Sequence, residues 1–195
     1  YTCPDRKGRS LTLRPEATAG VMRAYIESGL TNREPVSRLF TTGPMFRYER
    51  PQKGRMRQFH QINCECLGSH SPMADAELVS MLLRFLSDLG LTDLTLKINS
   101  LGCSECRPKF KAALLEYLKG VDRDALCPDC ARRVETNPLR VLDCKQPGCR
   151  AITDNAPKLI DYNCPECRAH FDTVLQLLDG QGLAYELDHR LVRGL

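Results

Sequence analysis

The stretch from Arg47 to Gln61 contains the side chains best suited to bind a nucleotide. Four arginines and one lysine fall within the eleven positions from Arg47 to Arg57. A run of like charge is often only a solvated face, but arginine presents a planar fork of donors that matches phosphate oxygens. Phe59 adds a flat ring on which a base can stack, and Glu49 can accept from an exocyclic amine. These residue types together indicate a nucleotide site without a P-loop.

The flanking sequence predicts that this stretch belongs to a β-hairpin. Residues 40–49 and 59–67 are typical of two strands, and residues 51–54 have the chemistry of a turn. Guanidinium groups on both legs of a hairpin can hold a polyphosphate from two sides. On the returning strand, Gln61 and Glu65 are separated by an even number of residues and therefore share one face of the sheet.

A short strand and an amphipathic helix are predicted before the hairpin. Residues 10–14 alternate as a strand, and Pro15 and Glu16 then open a helix, because both residue types are favourable in a first helical turn. Gly29 ends that helix. Considered alone, Glu16 is a residue that stabilises the helix dipole.

The rest of the chain alternates helices with short strands. Residues 75–89 and 169–178 are predicted helices, and residues 94–98 and 183–187 are predicted strands. Helices that alternate with strands around an antiparallel hairpin indicate an α+β fold rather than a parallel α/β fold.

Eight of the eleven cysteines form four short pairs, which favour metal binding over disulfides in a chain without secretory features. We predict two structural zinc sites, since four thiolates fill a tetrahedron and leave no open position. The inner quartet has the spacing of a zinc ribbon and is Cys127, Cys130, Cys144 and Cys149. The outer quartet brackets it in sequence and is Cys103, Cys106, Cys164 and Cys167. The alternative is eight reduced thiols without metal.

The cysteine-rich part is predicted to be an insertion with two helices, at residues 108–119 and 129–135. The predicted domain limits are 1–102 and 168–195 for the core and 103–167 for the insertion. Few large apolar residues lie within residues 127–149, so zinc is expected to replace a core that this segment cannot build. Cys3, Cys64 and Cys66 fall outside the pairs and are expected to be small buried hydrophobes.

Composition excludes several classes of protein. The 195 residues are 42% apolar and 27% charged, which is ordinary for a globular protein, and the formal net charge of +4 is compatible with nucleic acid without indicating it. No apolar run approaches the roughly 20 residues of a membrane helix, and no signal peptide heads the chain. The chain begins without methionine and stops within a motif, so it is expected to be a piece of a longer protein. The four histidines show no pattern that indicates a site.

Three segments resemble motifs of one family, the class II aminoacyl-tRNA synthetases. Residues 46–61, FRYERPQKGRMRQFHQ, resemble motif 2, and their sequence is similar to that of the histidyl enzymes in particular. Residues 13–18, LRPEAT, resemble the LRPEGT histidine-binding segment, with Ala17 where many members have glycine. Residues 191–195 resemble the start of the LVRGLDYY segment. The three segments occur in the family's order.

The resemblance implies a core built on an antiparallel β-sheet flanked by helices, with a helical insertion that contacts the tRNA acceptor arm. It implies a histidine–tRNA ligase that uses ATP with Mg²⁺ to form histidyl-adenylate from L-histidine and then charges tRNA(His). It also implies a cytoplasmic homodimer without a membrane partner. The present chain by itself is expected to be inactive.

The same resemblance implies roles for individual residues. The histidine-binding residues are Glu16, Thr18, Arg47, Gln61 and Glu65. The ATP-binding residues are Arg47, Glu49, Arg55, Phe59 and Arg193. Two of them are catalytic: Arg47 holds the histidine carboxylate and the α-phosphate, and Arg193 acts at the α-phosphate, where other class II enzymes place a metal ion.

Two other functions are compatible with parts of the sequence. A synthetase-like regulatory subunit of histidine biosynthesis is expected to lack the insertion and to have degraded arginine motifs, whereas Arg47, Arg55 and Arg193 are all present. A zinc-ribbon nucleic-acid-binding protein would explain the cysteines but not the hairpin or the LRPEAT segment.

Overall fold

The computed structural model describes residues 1–192, which fall into two compact units. The first unit is Tyr1–His70, and the second begins at Ser71. Each unit combines helices with short sheets, so the α+β class predicted from the sequence is confirmed.

A long hairpin dominates the first unit and confirms the predicted strands. Strand β3 (Ser37–Phe46) pairs antiparallel with β4 (Gln58–Leu67), in a register that runs from Ser37 opposite Leu67 to Phe46 opposite Gln58. The first leg ends at Phe46 rather than at residue 49. In the connection between the two strands, Gln52 and Arg55 form an isolated antiparallel bridge, and Gly54 between them adopts a positive φ of 76°.

Two further strands and one helix precede the hairpin. Strands β1 (Thr2–Pro4) and β2 (Ser10–Thr12) are antiparallel, and α1 spans Thr18–Glu27 before Gly29 at φ 68° ends it. The helix begins at Thr18, three residues later than Pro15. The carbonyl of Arg14 accepts from the Phe46 amide at 2.9 Å. Because this carbonyl is bonded to the hairpin, it is not free to accept the first hydrogen bond of a helix that begins at Pro15.

The second unit begins with a capped helix, and a helix late in the chain packs against it. Helix α2 (Pro72–Asp88) starts earlier than predicted, because the Ser71 hydroxyl caps it by accepting from the Met73 amide. Helix α7 (Pro165–Gly180) packs on α2, and Ala76, Val174 and Leu178 form a small buried cluster. The predicted strands at residues 94–98 and 183–187 shorten to β5 (Lys97–Ile98) and β6 (Glu186–Leu187), and these pair in parallel.

The regular structure of the cysteine-rich segment is helical. Between the ends of the segment lie α3 (Cys106–Lys119), α4 (Pro128–Thr136), α5 (Leu139–Leu142) and α6 (Pro147–Thr153). Three short 3-10 turns complete the described chain, at Leu30–Asn32, Arg123–Ala125 and Leu159–Tyr162. The two predicted helices, at residues 108–119 and 129–135, correspond to α3 and α4. The inner quartet has the spacing of a zinc ribbon, but every residue from 127 to 149 is described and none is in a strand.

The segment also builds a real hydrophobic core, contrary to expectation. Val134, Val141 and Leu142 are only 3%, 0% and 0% exposed, and they join Phe110, Leu114 and Leu118 of α3 in one cluster. Short helices with single apolar faces can build such a core jointly, although none of the sequences between the cysteines is apolar enough to indicate it. Among the described residues, no helix has the length and apolarity needed to cross a membrane.

Candidate functional site

One face of β4 gathers polar side chains and one aromatic ring. Along β4, half-buried residues alternate with exposed ones. Up to Glu65, the half-buried residues on one face are Phe59, Gln61, Asn63 and Glu65. Their cross-strand neighbours in β3 are Met45, Gly43, Thr41 and Leu39. Gln61 and Glu65 therefore share a face, as the even spacing predicts.

The start of α1 is bonded to this face. The Thr18 hydroxyl donates to a Glu65 carboxylate oxygen at 2.8 Å. Two residues earlier, both carboxylate oxygens of Glu16 accept from the Ala19 amide, at 3.2 and 3.3 Å. Glu16 thus satisfies one of the free amides at the helix start. Thr18 of the LRPEAT segment and Glu65 of β4, both predicted to bind histidine, are therefore neighbours.

Arg47 is held in place by two contacts. Its Nε donates to the Pro15 carbonyl at 2.8 Å, and its guanidinium carbon lies 4.9 Å from the centre of the Phe59 ring. A guanidinium at this distance over an aromatic face is attracted by the ring. The remaining N–H groups of a side chain fixed in this way keep a defined direction, which suits an arginine that must position an anion.

Charged side chains in the loop of the hairpin contact other side chains of the same loop. Arg55 lies 3.2 Å from a Glu49 carboxylate oxygen, and Arg57 stacks over Tyr48 at 4.6 Å. The Arg55 side chain is 53% exposed, so this ion pair is a surface pair of small net strength. A polyphosphate could therefore replace Glu49 as the partner of Arg55 at little cost.

Two buried oxygens on the same face have no partner. Among the described residues, Gln61 Oε1 and Asn63 Oδ1 are buried side-chain atoms without a hydrogen bond. Buried polar atoms normally find a partner, and a polar ligand on this face would supply one. Asn63 was missed at the level of sequence, although it lies at the even spacing between Gln61 and Glu65.

A groove in the first unit lies apart from most of these residues. It encloses about 790 Å³ beside α1 and is lined by Glu16 but not by Arg47, Phe59, Gln61 or Glu65. The bond from Thr18 to Glu65 and the bond from Arg47 to the Pro15 carbonyl are a better guide to the site than this groove, because their geometry is specific. Arg193 lies outside the described residues.

The two cysteine quartets predicted from the spacing each come together in space. Within each quartet, all four sulfurs lie within 4.8 Å of one another. The S···S separations include 3.5 Å for Cys103–Cys106, 4.0 Å for Cys103–Cys164 and 3.9 Å for Cys127–Cys144. A zinc–sulfur bond of about 2.3 Å gives a tetrahedral edge of ~3.8 Å. The separations fit a four-thiolate metal site and are far too long for disulfides.

Backbone amides support the sulfurs of both quartets. Cys106 Sγ accepts from the Cys164 amide at 3.1 Å, and Cys149 Sγ accepts from the Cys127 amide at 3.2 Å. In the outer quartet, the Glu105 amide also donates to Cys103 Sγ at 3.4 Å. Such bonds orient metal-binding thiolates and stabilise their charge.

The thiols of each quartet differ in how readily they ionise. The amide of Glu105, followed by that of Cys106, lowers the pKa of Cys103 to about 6. Burial raises the pKa of Cys167 to about 12 and raises the pKa of Cys130 above its ordinary value. Four thiolates this close would repel one another, so ionising a whole quartet requires a bound cation.

The three cysteines outside the quartets are not uniformly buried. Cys3 and Cys64 are exposed and Cys66 is half-buried, so the expectation of buried hydrophobes is wrong for the first two. Cys64 projects from the open face of β4, and Cys3 lies on the thin β1–β2 ribbon, whose strands are exposed along their length.

Fold and motifs define a class of protein. The family model for the class II tRNA synthetase core domain (G, H, P, S and T) matches residues 1–192, and the chain belongs to this family. Within it, the similar proteins named histidine–tRNA ligase include those of Nitratidesulfovibrio vulgaris strain DP4, 70% identical, and Oleidesulfovibrio alaskensis, 63% identical. Each alignment covers 100% of this chain and 47% of the relative.

A solved structure agrees with these relatives. The crystal structure of apo S. aureus histidyl-tRNA synthetase matches with a TM-score of 0.74 at 36% identity, over 100% of this chain and 45% of that chain. The present chain therefore spans about half the length of the proteins it matches.

Proposed function

We propose that the protein is a histidine–tRNA ligase, which joins L-histidine to ATP as histidyl-adenylate and then transfers the histidyl group to tRNA(His). The observation that carries the proposal is the bond between Thr18 and Glu65, together with the bond from Arg47 to the carbonyl of Pro15. This arrangement joins the two segments that resemble the histidine-binding and ATP-binding motifs. The identity of up to 70% with proteins of that name supports it.

The face of β4 has the chemistry that histidine selection needs. We assign the α-ammonium group of histidine to Glu16 and Thr18, and the imidazole to Gln61 and Glu65. A site built from hydrogen-bonding groups rejects analogues that cannot pair with them, because its own buried polar atoms would then be left unsatisfied. The unpartnered oxygen of Gln61 is such a group.

Activation brings two anions together, so the site must supply fixed positive charge. Arg47 is assigned to the histidine carboxylate and to the α-phosphate of ATP. Arg55 is assigned to the terminal phosphates, Glu49 to the adenine amine and Phe59 to the adenine face. Arg193 is assigned to the α-phosphate from the LVRGL resemblance alone. The Mg²⁺ that accompanies ATP would offset the charge of the polyphosphate.

The remaining assignments concern the whole protein. We propose that residues 103–167 form an insertion between core segments 1–102 and 168–195, that it contacts the tRNA acceptor arm, and that its quartets bind structural Zn²⁺. We also propose a cytoplasmic homodimer.

The direct test is histidine-dependent exchange of pyrophosphate into ATP by the full-length protein. We expect exchange with L-histidine and none with histidinol, which lacks the carboxylate that must attack the phosphorus. Exchange supported by another amino acid, or absent with every amino acid, would refute the proposed function.

A further inference from the structure

We propose that the two zinc sites are not equivalent: the outer quartet holds a releasable ion that clamps the ends of the cysteine-rich segment, whereas the inner quartet holds an ion locked into its core. The inference rests on the zinc occupancy proposed above, but it is independent of histidine activation. It concerns which ion leaves first and what that loss does to the chain.

The burial of the two quartets differs. In the outer quartet, only Cys106 is buried, at 1% exposure, and the other three cysteines are partly exposed. In the inner quartet, only Cys127 is partly exposed. The other three are buried: Cys130 is 0% exposed, Cys149 1% and Cys144 9%. A chelator must reach the ion or displace a sulfur, so it has access to the outer site without a change in the fold.

The inner sulfurs are also part of the hydrophobic core. Cys130, Cys144 and Cys149 pack in the same cluster as Leu126 and Val141. Freeing the inner ion requires these side chains to separate, and core elements open far more rarely than exposed ones. The packing therefore slows release from the inner site and leaves the outer site unaffected.

The outer quartet joins distant parts of the chain at a tight junction. Cys103 and Cys164 are 61 positions apart, and next to them Asn163 donates to the Ser100 hydroxyl at 2.8 Å. Gly102 at φ 60° fits here because a Cβ would lie 2.9 Å from the Cβ of Cys106. A metal that closes so long a loop removes much of its entropy, so losing the ion should loosen the junction first.

The outer site also lies at two helix starts. Cys106 is the first residue of α3, and Cys164 is the N-cap of α7, where its sulfur accepts from the Cys167 amide at 3.4 Å. The positive ends of both helices favour the negative charge of four thiolates around one divalent ion. The clamp therefore holds α3 and α7 by their first turns.

The test is a timed release of zinc from the full chain, purified under reducing conditions without chelator. Zinc is counted by elemental analysis and then followed with a chromogenic chelator, while iodoacetamide marks each freed thiol for mass spectrometry. We expect two zinc ions per chain, released in two phases that differ by about tenfold or more in rate. The outer cysteines should be alkylated in the fast phase and the inner ones in the slow phase.

Matched variants separate the two sites. Cys164→Ser should leave one zinc per chain, which is released only in the slow phase, and should make the junction near residues 100–106 and 160–167 sensitive to protease. Cys130→Ser removes a core side chain and can unfold the segment, so the result for Cys164→Ser is decisive. Cys3→Ser and Cys64→Ser change exposed thiols outside the quartets and should retain two zinc ions.

The outcomes distinguish the proposals. A chain without zinc would refute the proposed zinc occupancy and this inference together, while leaving histidine activation untouched. Two zinc ions released in one phase, or earlier alkylation of the inner cysteines, would refute only the proposed difference between the two zinc sites. A single zinc held by the wild-type chain would refute it as well.

Discussion

The hydroxyl of Thr18 lies 2.8 Å from a carboxylate oxygen of Glu65, although 47 positions separate the two residues. This bond joins the first turn of α1 to the last part of the returning strand of the hairpin. We assign Glu65, the acceptor, to the imidazole of histidine, and Thr18, the donor, to its α-ammonium group. The two ends of a bound histidine would therefore contact side chains that hold each other in position.

Glu65→Gln should weaken histidine binding far more than ATP binding. The substitution removes the charge and one acceptor from a half-buried face. Losing one partner of a charged hydrogen bond costs about 1.5–3 kcal/mol, so we expect a roughly tenfold to hundredfold rise in KM for histidine. Pyrophosphate exchange at varied histidine and varied ATP measures the two effects separately.

Cys64→Ser is the matched control for this variant, because Cys64 is the adjacent residue but projects from the opposite, exposed face of β4. It should leave both KM values near those of the wild type. Equal losses for ATP and histidine in Glu65→Gln would place Glu65 outside the histidine site.

Gln61→Ala should act in the same direction. The substitution removes the oxygen that has no partner in the protein, so it should cost little stability while raising KM for histidine. Thermal unfolding and exchange kinetics on the same preparation provide the comparison. A large loss of stability with an unchanged KM would mean that Gln61 serves the fold rather than the substrate.

Arg47→Lys should lower the rate of adenylate formation by about a hundredfold while keeping the charge. Lysine cannot reproduce both the Nε bond to Pro15 and the flat stacking on Phe59. Its ammonium would lose the orientation that the α-phosphate requires. Single-turnover formation of histidyl-adenylate is the measurement, and Arg50→Lys, in the same loop, is the control. Comparable effects of both substitutions would show that only the total charge matters.

Arg193→Ala tests an assignment that rests on resemblance, since this residue lies outside the described part of the chain. In the full-length protein, adenylate formation should fall by orders of magnitude, whereas the affinity for histidine should change little. Positive charge is needed most where negative charge develops in the transition state. A loss confined to KM for histidine would contradict this role.

Gly68→Ala should destabilise the first unit. Gly68 has φ 87°, and a Cβ there would lie 2.2 Å from the Pro35 carbonyl oxygen, a backbone atom that cannot easily move. Left-handed backbone alone costs a non-glycine residue roughly 1–2 kcal/mol, and the clash adds to that cost. Urea unfolding followed through the first unit measures the loss.

Gly8→Ala isolates the contribution of the clash. Gly8 has a similar φ of 78°, but nothing lies within 4 Å of its Cβ position. It should show the backbone cost alone, so Gly68→Ala must be clearly the less stable variant. Equal stabilities would mean that the end of the hairpin adjusts around the new methyl group.

Several features could be predicted from the sequence because they depend on local periodicity. The alternation from Phe59 to Glu65 defines which side chains share a face, whatever that face packs against. The order of the cysteine pairs also correctly predicted which sulfurs meet, because the outer pairs bracket the inner ones. Whether those sulfurs hold zinc stays a prediction.

Other features were decided only by contacts between distant segments. Helix α1 begins at Thr18 because the carbonyls of Arg14 and Pro15 bond to the hairpin, and no local pattern shows that competition. The inner quartet is surrounded by helices and a shared core, since apolar residues from several short helices meet only after folding. Cys64 is exposed for the same reason: its strand alternates as expected, but the tertiary structure leaves that face open. Local sequence sets the period of each element, whereas the partners of its faces and ends depend on the folded chain.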